Sequence, residues 1–420
     1  MRVLIAIYIV LLNILTISSQ NKLPEWKEGC LDIHFISTGQ GNCMFTVFPD
    51  GTTMLVDAGE QDPTSPRVNS PRNTRRFPDN SRYTHQWQAD YIKSVLRDRG
   101  HIDYALITHY HDDHYGGVYP GVPFYEEGSY SLSGITGLGT IIPIRKLVDR
   151  GDKYPFDIRK AAKEYPESLK SLINYWKFVD YQSKTNALKY EQFKVGSNEQ
   201  FPMLNSPEKY STFSIQNVVS NGNVWDGKYI FTLMPPDNDY SQRSVMPNEN
   251  TLSCGILVSY GPFRFFAGAD ITGKQPDYEQ RPEWYDIESV VAPYIGEVDL
   301  TTTNHHANRD AMTVYYLSVL KPRVIIHEVW SSDHPGHEAL LRMTSRKIWP
   351  DERDLFATNM LDANRIVIGE SLDKSYKSTQ GHIVVRVMPG GKEYFVYTLN
   401  HLSQDRFVTA IYGPYKSKKQ

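Results

Sequence analysis

Thr108-His109-Tyr110-His111-Asp112-Asp113-His114-Tyr115-Gly116-Gly117 decides how this chain is read. Three imidazoles and a carboxylate (His109, His111, Asp113 and His114) follow directly on the apolar run Tyr104-Ala105-Leu106-Ile107. His109 and His111 are two positions apart, so in extended backbone their rings leave the same face and can grip one cation. Asp113 and His114 fall in the turn that follows, where the chain can curl back to a second cation. Gly116 and Gly117 then let it bend away without steric cost. His and Asp clustered in this way point to metal rather than to a solvated loop.

Working outward, residues 31–48 read as strand, turn, strand, with Gly39-Gln40-Gly41-Asn42 as the turn. Pro49-Asp50-Gly51 is a hairpin signal, and the strand 53–56 after it ends in Asp57-Ala58-Gly59. Residues 61–83, rich in Pro, Asn, Ser and Arg, read as a long loop. Trp87, Tyr91, Ile92, Val95 and Leu96 recur at helical spacing. Residues 118–215 look like an insertion carrying one helix over 157–181. Further strands are expected at 213–219, 229–234, 255–259, 263–267, 298–303 and 324–326, with helices at 311–320 and 338–348. The tail, 383–411, is β-rich with a hairpin signal at Pro389-Gly390-Gly391 and reads as an extension over 380–415 to a domain spanning 29–370.

The chain has 420 residues, 40% hydrophobic and 22% charged, which is globular rather than disordered. A formal net charge of −3 gives no global attraction to nucleic acid or anionic membranes, so any anionic substrate must be held locally. Arg2, an apolar run over 3–15 broken only by Asn13, and Thr16-Ile17-Ser18-Ser19 form a signal peptide over 1–19, removed after Ser18 or Ser19. The run is short for a bilayer span of roughly 20 residues. The expected location is therefore secreted or periplasmic, without a stable membrane span after processing; an uncleaved anchor is the other reading. Cys30, Cys43 and Cys254 are widely spaced and allow either a Cys30–Cys43 disulfide or three buried thiols.

The metal motif resembles the His-x-His-x-Asp-His hallmark of the metallo-β-lactamase superfamily. Within it the chain looks most like the ComEC-like branch, associated with bacterial DNA uptake. That branch's Gly-Gln-Gly-Asp turn is matched by Gly39-Gln40-Gly41-Asn42, with Asn in place of Asp, and its Asp-x-Gly by Asp57-Ala58-Gly59. Asn250-Thr251-Leu252-Ser253, Gly268-Ala269-Asp270 and His305-His306-Ala307 match its later motifs. The likeness spans roughly residues 31–345 and is looser away from the metal motif. It implies an αββα sandwich (an α/β, or α+β, fold) and two divalent cations, with Asp270 as the bridging ligand. It favours His305 over His306 as the last ligand, leaving His306 to face substrate. Asp57 is expected to orient a ligand imidazole, and Asn250 to lie behind the ligands or beside substrate. His334, in Asp333-His334-Pro335, would donate to a phosphate or to the leaving group.

One departure stands out: no His occurs from 115 to 304, where many binuclear relatives have another ligand. The first metal would then have His109, His111 and Asp270, plus water. A water held between two cations loses its proton near neutral pH and becomes the nucleophile, with Asp113 orienting it. Zinc suits so His-rich a site, while the carboxylates leave manganese or iron open. No Gly-x-Ser-x-Gly and no phosphate-binding Gly-x-x-x-x-Gly-Lys-Ser/Thr competes. Arg67, Arg72, Arg75, Arg76 and Arg82 stud the 61–83 loop beside the Asp57 turn, and Arg75 and Arg76 are the ones expected to meet phosphate. The expected reaction is phosphodiester hydrolysis, on a small-molecule or polymeric phosphoester or on single-stranded nucleic acid. Ester, lactone or lactam hydrolysis on the same site, or metal binding without turnover, are the alternatives.

Overall fold

The computed structural model describes residues 22–66, 68–235, 238–239, 246–274 and 281–418. The signal peptide expected over 1–19, and Arg67, lie outside the described residues. Besides the short hairpin Phe124–Tyr125 with Tyr130–Ser131, strands in the N-terminal half are Leu31–Phe35 (β1), Met44–Val47 (β2), Thr53–Val56 (β3), Ile102–Ile107 (β4), Ile144–Asp149 (β5), Lys189–Gln192 (β6), Phe213–Ser220 (β7), Asn223–Trp225 (β8) and Ile230–Thr232 (β9). The C-terminal half adds Gly255–Tyr260 (β10), Phe263–Ala267 (β11), Leu300–Thr302 (β12), Val324–His327 (β13), Asp354–Ala357 (β14), Tyr376–Ser378 (β15), His382–Val387 (β16), Glu393–Leu399 (β17) and Val408–Lys416 (β18). They form two nine-stranded sheets, ordered β18-β17-β16-β1-β2-β3-β4-β5-β6 and β9-β8-β7-β10-β11-β12-β13-β14-β15.

Alternation along each strand explains the layering. Leu31, Ile33 and Phe35 of β1, Met54 and Val56 of β3, and Tyr104 and Leu106 of β4 enter one core with Phe213, Phe263 and Phe265 of the other sheet. Leu55, Ala105 and Ile107 point the opposite way, onto helices Thr84–Leu96 (α1), Gly134–Ile141 (α2) and Lys170–Thr185, which carry Ile92, Leu138 and Phe178. The outer face of the second sheet is covered by Ile287–Ile295, Val314–Leu320 and His337–Thr344 through Val291, Leu317 and Leu340. Strands buried on both faces read as near-continuous apolar runs. The result is the αββα sandwich of the metallo-β-lactamase fold.

Two expected boundaries differ. The segment 118–215 is not an insertion apart from the sandwich. β5 pairs with β4, β6 extends the first sheet, and β7 opens the second. Its single expected helix is two, Ile158–Glu164 and Lys170–Thr185, because Tyr165-Pro166 bars the residue before proline from helical backbone. The β-rich tail is likewise no appendage: β16 pairs antiparallel with β1, and Ile383, Val385 and Val387 enter the inter-sheet core. The 61–83 segment has no strand or helix among its described residues, as its composition predicts. All three cysteines are free and buried.

The topology positions the site. β3, β4 and β5 are parallel, as are β11, β12, β13 and β14. Parallel strands deliver their C-terminal ends to one edge. Asp57, His109, Asp270, His305–His306 and Trp330–His334 all follow such ends.

Candidate metal centre

The His109–His114 loop is shaped by close backbone contacts. The turn Asp112–Tyr115 begins at His111, and His114 N donates to His111 O at 2.8 Å. Asn42 N donates to Asp113 O at 2.8 Å, and Ala58 N to His114 O at 2.8 Å. A Cβ at Gly41 or Gly59 would collide with the Asp113 carbonyl, which is why both turns need glycine here. The Gly39–Asn42 and Asp57–Gly59 motifs therefore cradle the metal loop rather than meet substrate.

The ligand atoms gather into two groups. Asp113, His114, Asp270 and His306 form one, and His109, His111 and Asp270 the other, each with its ligand atoms within 4.8 Å of one another. Asp270 Oδ2 lies 3.8 Å from His109 Nε2, 3.4 Å from His114 Nε2 and 3.6 Å from His306 Nε2. Asp113 Oδ2 is 3.2 Å from His306 Nε2. Ligands about 2.0–2.1 Å from a tetrahedral cation stand roughly 3.3 Å apart, so these spacings fit a shared ion better than direct bonds. His114 Nε2 and Asp270 Oδ1 are buried with no hydrogen-bond partner, a costly state that a cation would relieve. The residues fit divalent metal: His109, His111 and Asp270 would hold one ion, and Asp113, His114, Asp270 and His306 another.

The groups behind the ligands fix which nitrogen faces the cation. Asp57 is 2% exposed; its Oδ1 accepts from Thr108 N at 2.8 Å, and its Oδ2 from Thr108 Oγ1 at 2.7 Å and His114 Nδ1 at 2.8 Å. That bond leaves His114 Nε2 for the metal. His306 Nδ1 donates to Glu328 O at 3.1 Å, freeing its Nε2 in the same way. Trp330 Nε1 donates to Asp113 Oδ2 at 3.0 Å. The sequence offers no mark of Trp330's role beyond its place after β13.

Electrostatics agree with a cation site. Burial, reinforced by the charge of His114, holds His109 well below the usual histidine range, in the neutral form that ligates. Burial would raise Asp113 and Asp270, but the neighbouring histidines, His114 first, outweigh it and keep both carboxyls below their usual range. Burial opposes charge on His114, yet Asp270, Asp57 and Asp113 outweigh it and hold its pKa well above the usual histidine range.

His305 is the residue that the resemblance misassigned to the cluster. Its Nδ1 donates to Asp310 Oδ1 at 2.6 Å, and its Nε2 accepts from Asn250 Nδ2 at 2.8 Å, so both nitrogens are used. His306 enters the cluster instead. His305, His306 and Ala307 have φ of 41°, 48° and 54°, left-handed backbone costing about 1–2 kcal/mol per residue. Such strain persists where the surroundings over-determine it, and here it turns the second imidazole, not the first, toward Asp270. Asn250 sits behind His305, outside both ligand groups. His334 is 3% exposed, stacked on His306 at a centroid distance of 4.4 Å, and burial lowers its pKa well below the usual range. It supports the face of a ligand ring, and its burial does not favour the donor role expected of it.

The two loop arginines also part company. Arg75 is exposed, with its guanidinium over the Phe77 ring. Arg76 turns inward at 9% exposure, 3.6 Å from Glu60 Oε1 and donating to Tyr119 Oη at 3.0 Å. Glu60, itself fully buried, also accepts from His85 Nδ1 and Tyr119 Oη. Arg76→Ala is therefore expected to cost about 1–3 kcal/mol of stability, read as a lower Tm. Arg75→Ala should leave Tm unchanged; equal effects on Tm from both would refute the division.

Residues 36–121 match the family model of the metallo-beta-lactamase superfamily. The matched segment holds the cradle turns and the His109–His114 loop. No curated protein matches the sequence significantly. Among solved structures, a mutant of the β-hydroxylase CmlA is 12% identical with a TM-score of 0.36, over 85% of this chain and 54% of that one. This chain thus spans about half the hydroxylase's length. Zn(2+)-bound PqqB from Methylobacterium extorquens is 8% identical with a TM-score of 0.37, over 84% and 99%. The short form of human tRNase Z is 13% identical with a TM-score of 0.31, over 70% and 91%.

Proposed function

We propose that this protein is an exported, metal-dependent hydrolase of phosphodiester bonds in nucleic acid or another phosphoester, from the ComEC-like branch of the superfamily. The observation carrying the reading is the pair of ligand groups that share Asp270. Two divalent cations, when bound, supply Lewis-acid stabilisation and a nucleophile from water at neutral pH. His109, His111 and Asp270 would hold one, and Asp113, His114, Asp270 and His306 the other. The chain's own contribution is orientation: Asp57 sets the His114 tautomer, Glu328 O that of His306, and Trp330 fixes the Asp113 carboxylate. The phosphodiester preference rests on the two ligand groups that share Asp270, because two divalent cations held there would supply charge stabilisation suited to phosphoryl transfer. Exposed Arg75 on the neighbouring loop adds a cation for substrate phosphate. Zinc is the metal proposed, with manganese and iron as competitors through the carboxylates.

The test is elemental analysis of the purified protein, then turnover of bis(p-nitrophenyl) phosphate and single-stranded DNA against p-nitrophenyl acetate, a lactone and a lactam. About two metal ions per chain with phosphodiester turnover supports the reading. Turnover confined to the ester, lactone or lactam would overturn the substrate class, and retained metal with no turnover would overturn the enzyme. Stripping the metals should lower stability by about 2.7 kcal/mol relative to protein held at 100 times Kd for one site, read by thermal melting. Export carries its own check: the mature chain is expected to begin between Ser19 and Asn21, and Met1 intact in an exported pool would refute it. No helix among the described residues is long and apolar enough to cross a membrane.

A further inference from the structure

His114 and His306 each have their second ring nitrogen bonded from behind. His109 has only a neighbouring hydroxyl there, and His111 has no such bond among the described residues. Thr108 Oγ1 lies 3.2 Å from His109 Nδ1, and among the described residues no carboxylate outside the ligand groups bonds to either ring. What holds this half of the loop acts on its backbone. Glu249 Oε1 accepts from the N–H of Tyr110, the residue between the two histidines, at 2.9 Å. Cys254 N donates to Thr108 O at 3.0 Å, so the loop is tied on both shoulders to the segment 249–254.

Glu249 is itself gripped by Arg150, which is 1% exposed and follows β5. Arg150 Nε and Nη2 donate to Glu249 Oε1 and Oε2 at 2.5 and 2.8 Å. Its Nη1 reaches Gly151 O and Tyr154 O, both at 3.2 Å, and its guanidinium lies 4.4 Å from the Tyr110 ring centroid. Tyr110 is thus held by its backbone from one side and by its ring from the other. A buried ion pair is weak evidence for stability, because an apolar pair of similar volume often serves as well. Its placement on the residue between two ligands suggests a different use.

We propose that the Glu249–Arg150 pair is the positioning device of the three-ligand site. By fixing the backbone at Tyr110 it makes the His109 and His111 rings converge, and so sets that site's cation affinity without touching the cation. The four-ligand site, oriented by Asp57, Glu328 O and Trp330, does not depend on it. The inference rests on the metal reading above.

The experiment titrates metal-free protein with Zn²⁺ in calorimetry, alongside a thermal melt. The parent is compared with the double variant Glu249→Gln/Arg150→Met, which removes both charges and so leaves no unpaired buried ion. A second double variant, Asp32→Asn/Arg386→Met, is the control. That pair is also buried, joined at 2.8 and 2.6 Å, and bonds to no ligand or loop residue of the site. The parent should bind Zn²⁺ in two phases. The Glu249/Arg150 variant should lose about 10–100-fold in the weaker phase alone, the range of an outer-shell change. The control should keep both affinities whatever its Tm. Should the double variant not fold, Arg150→Lys, which keeps a charge partner for Glu249 but loses the two-point grip on it, must still weaken only that phase. Unchanged affinities, or an equal fall in both phases, overturn the proposal. A parent that binds no Zn²⁺, or only one ion, overturns the binuclear reading instead.

Discussion

Asp270→Ala is expected to lose metal and turnover together. Asp270 is the one carboxylate common to both ligand groups, with its Oδ2 within 3.8 Å of His109, His114 and His306. Without it the first group keeps only two imidazoles, His109 and His111, which is below the three protein ligands of a catalytic site. The second keeps Asp113, His114 and His306, enough to hold one ion. Metal content should therefore fall from about two ions per chain to about one. Hydrolysis should fall on the order of 10³-fold or more, beyond the loss from a single oxyanion donor. Elemental analysis and kcat on the same preparation check both halves. A variant that keeps two ions and full turnover would remove the bridging role and the two-cation mechanism with it.

Asp57→Ala should be the most damaging change at a residue that touches no metal. It strips the acceptor from three buried donors at once: Thr108 N, Thr108 Oγ1 and His114 Nδ1. Each buried donor left unpaired costs about 1–3 kcal/mol, so a loss of about 3–5 kcal/mol is expected after partial relaxation. It also frees His114 to flip its tautomer, which should weaken the four-ligand site by about 10–100-fold. Asp57→Asn separates the two effects. Its amide oxygen can still accept from Thr108 N, but its NH₂ opposes the His114 Nδ1 proton. Stability should partly recover while the metal affinity does not. Recovery of both by Asn would mean that the aspartate's charge and orientation of His114 are not what matters.

The histories of individual residues mark how far each kind of information reaches. His109, His111, Asp113 and His114 were legible because their geometry is local: strand spacing and a glycine-released turn bring them together within one short loop. Asp270 was reachable for a related reason, since it follows the end of an apolar strand and parallel strands share an edge. The glycines at 41 and 59 were legible as turn signals, but their contact with the Asp113 carbonyl joins three segments and is written in none of them.

Choices between neighbours lay beyond the sequence. His305 and His306 are adjacent and chemically identical, and what separates them is a run of left-handed backbone with Asp310 and Asn250 waiting for the first ring. Arg75 and Arg76 differ in the same way, because a buried Glu60 draws only one of them inward. Glu249 and Arg150 are 99 residues apart and carry no motif. The tail looked like an extension because its pairing partner, β1, lies at the other end of the chain. The sequence by itself determined the sandwich and the clustering of His109, His111, Asp113 and His114 in one loop, because periodicity and short-range spacing act within one segment. The tertiary structure alone decided which imidazole faces the cations, which guanidinium faces solvent and what holds the loop in place, because those depend on which distant groups the fold brings within hydrogen-bond reach.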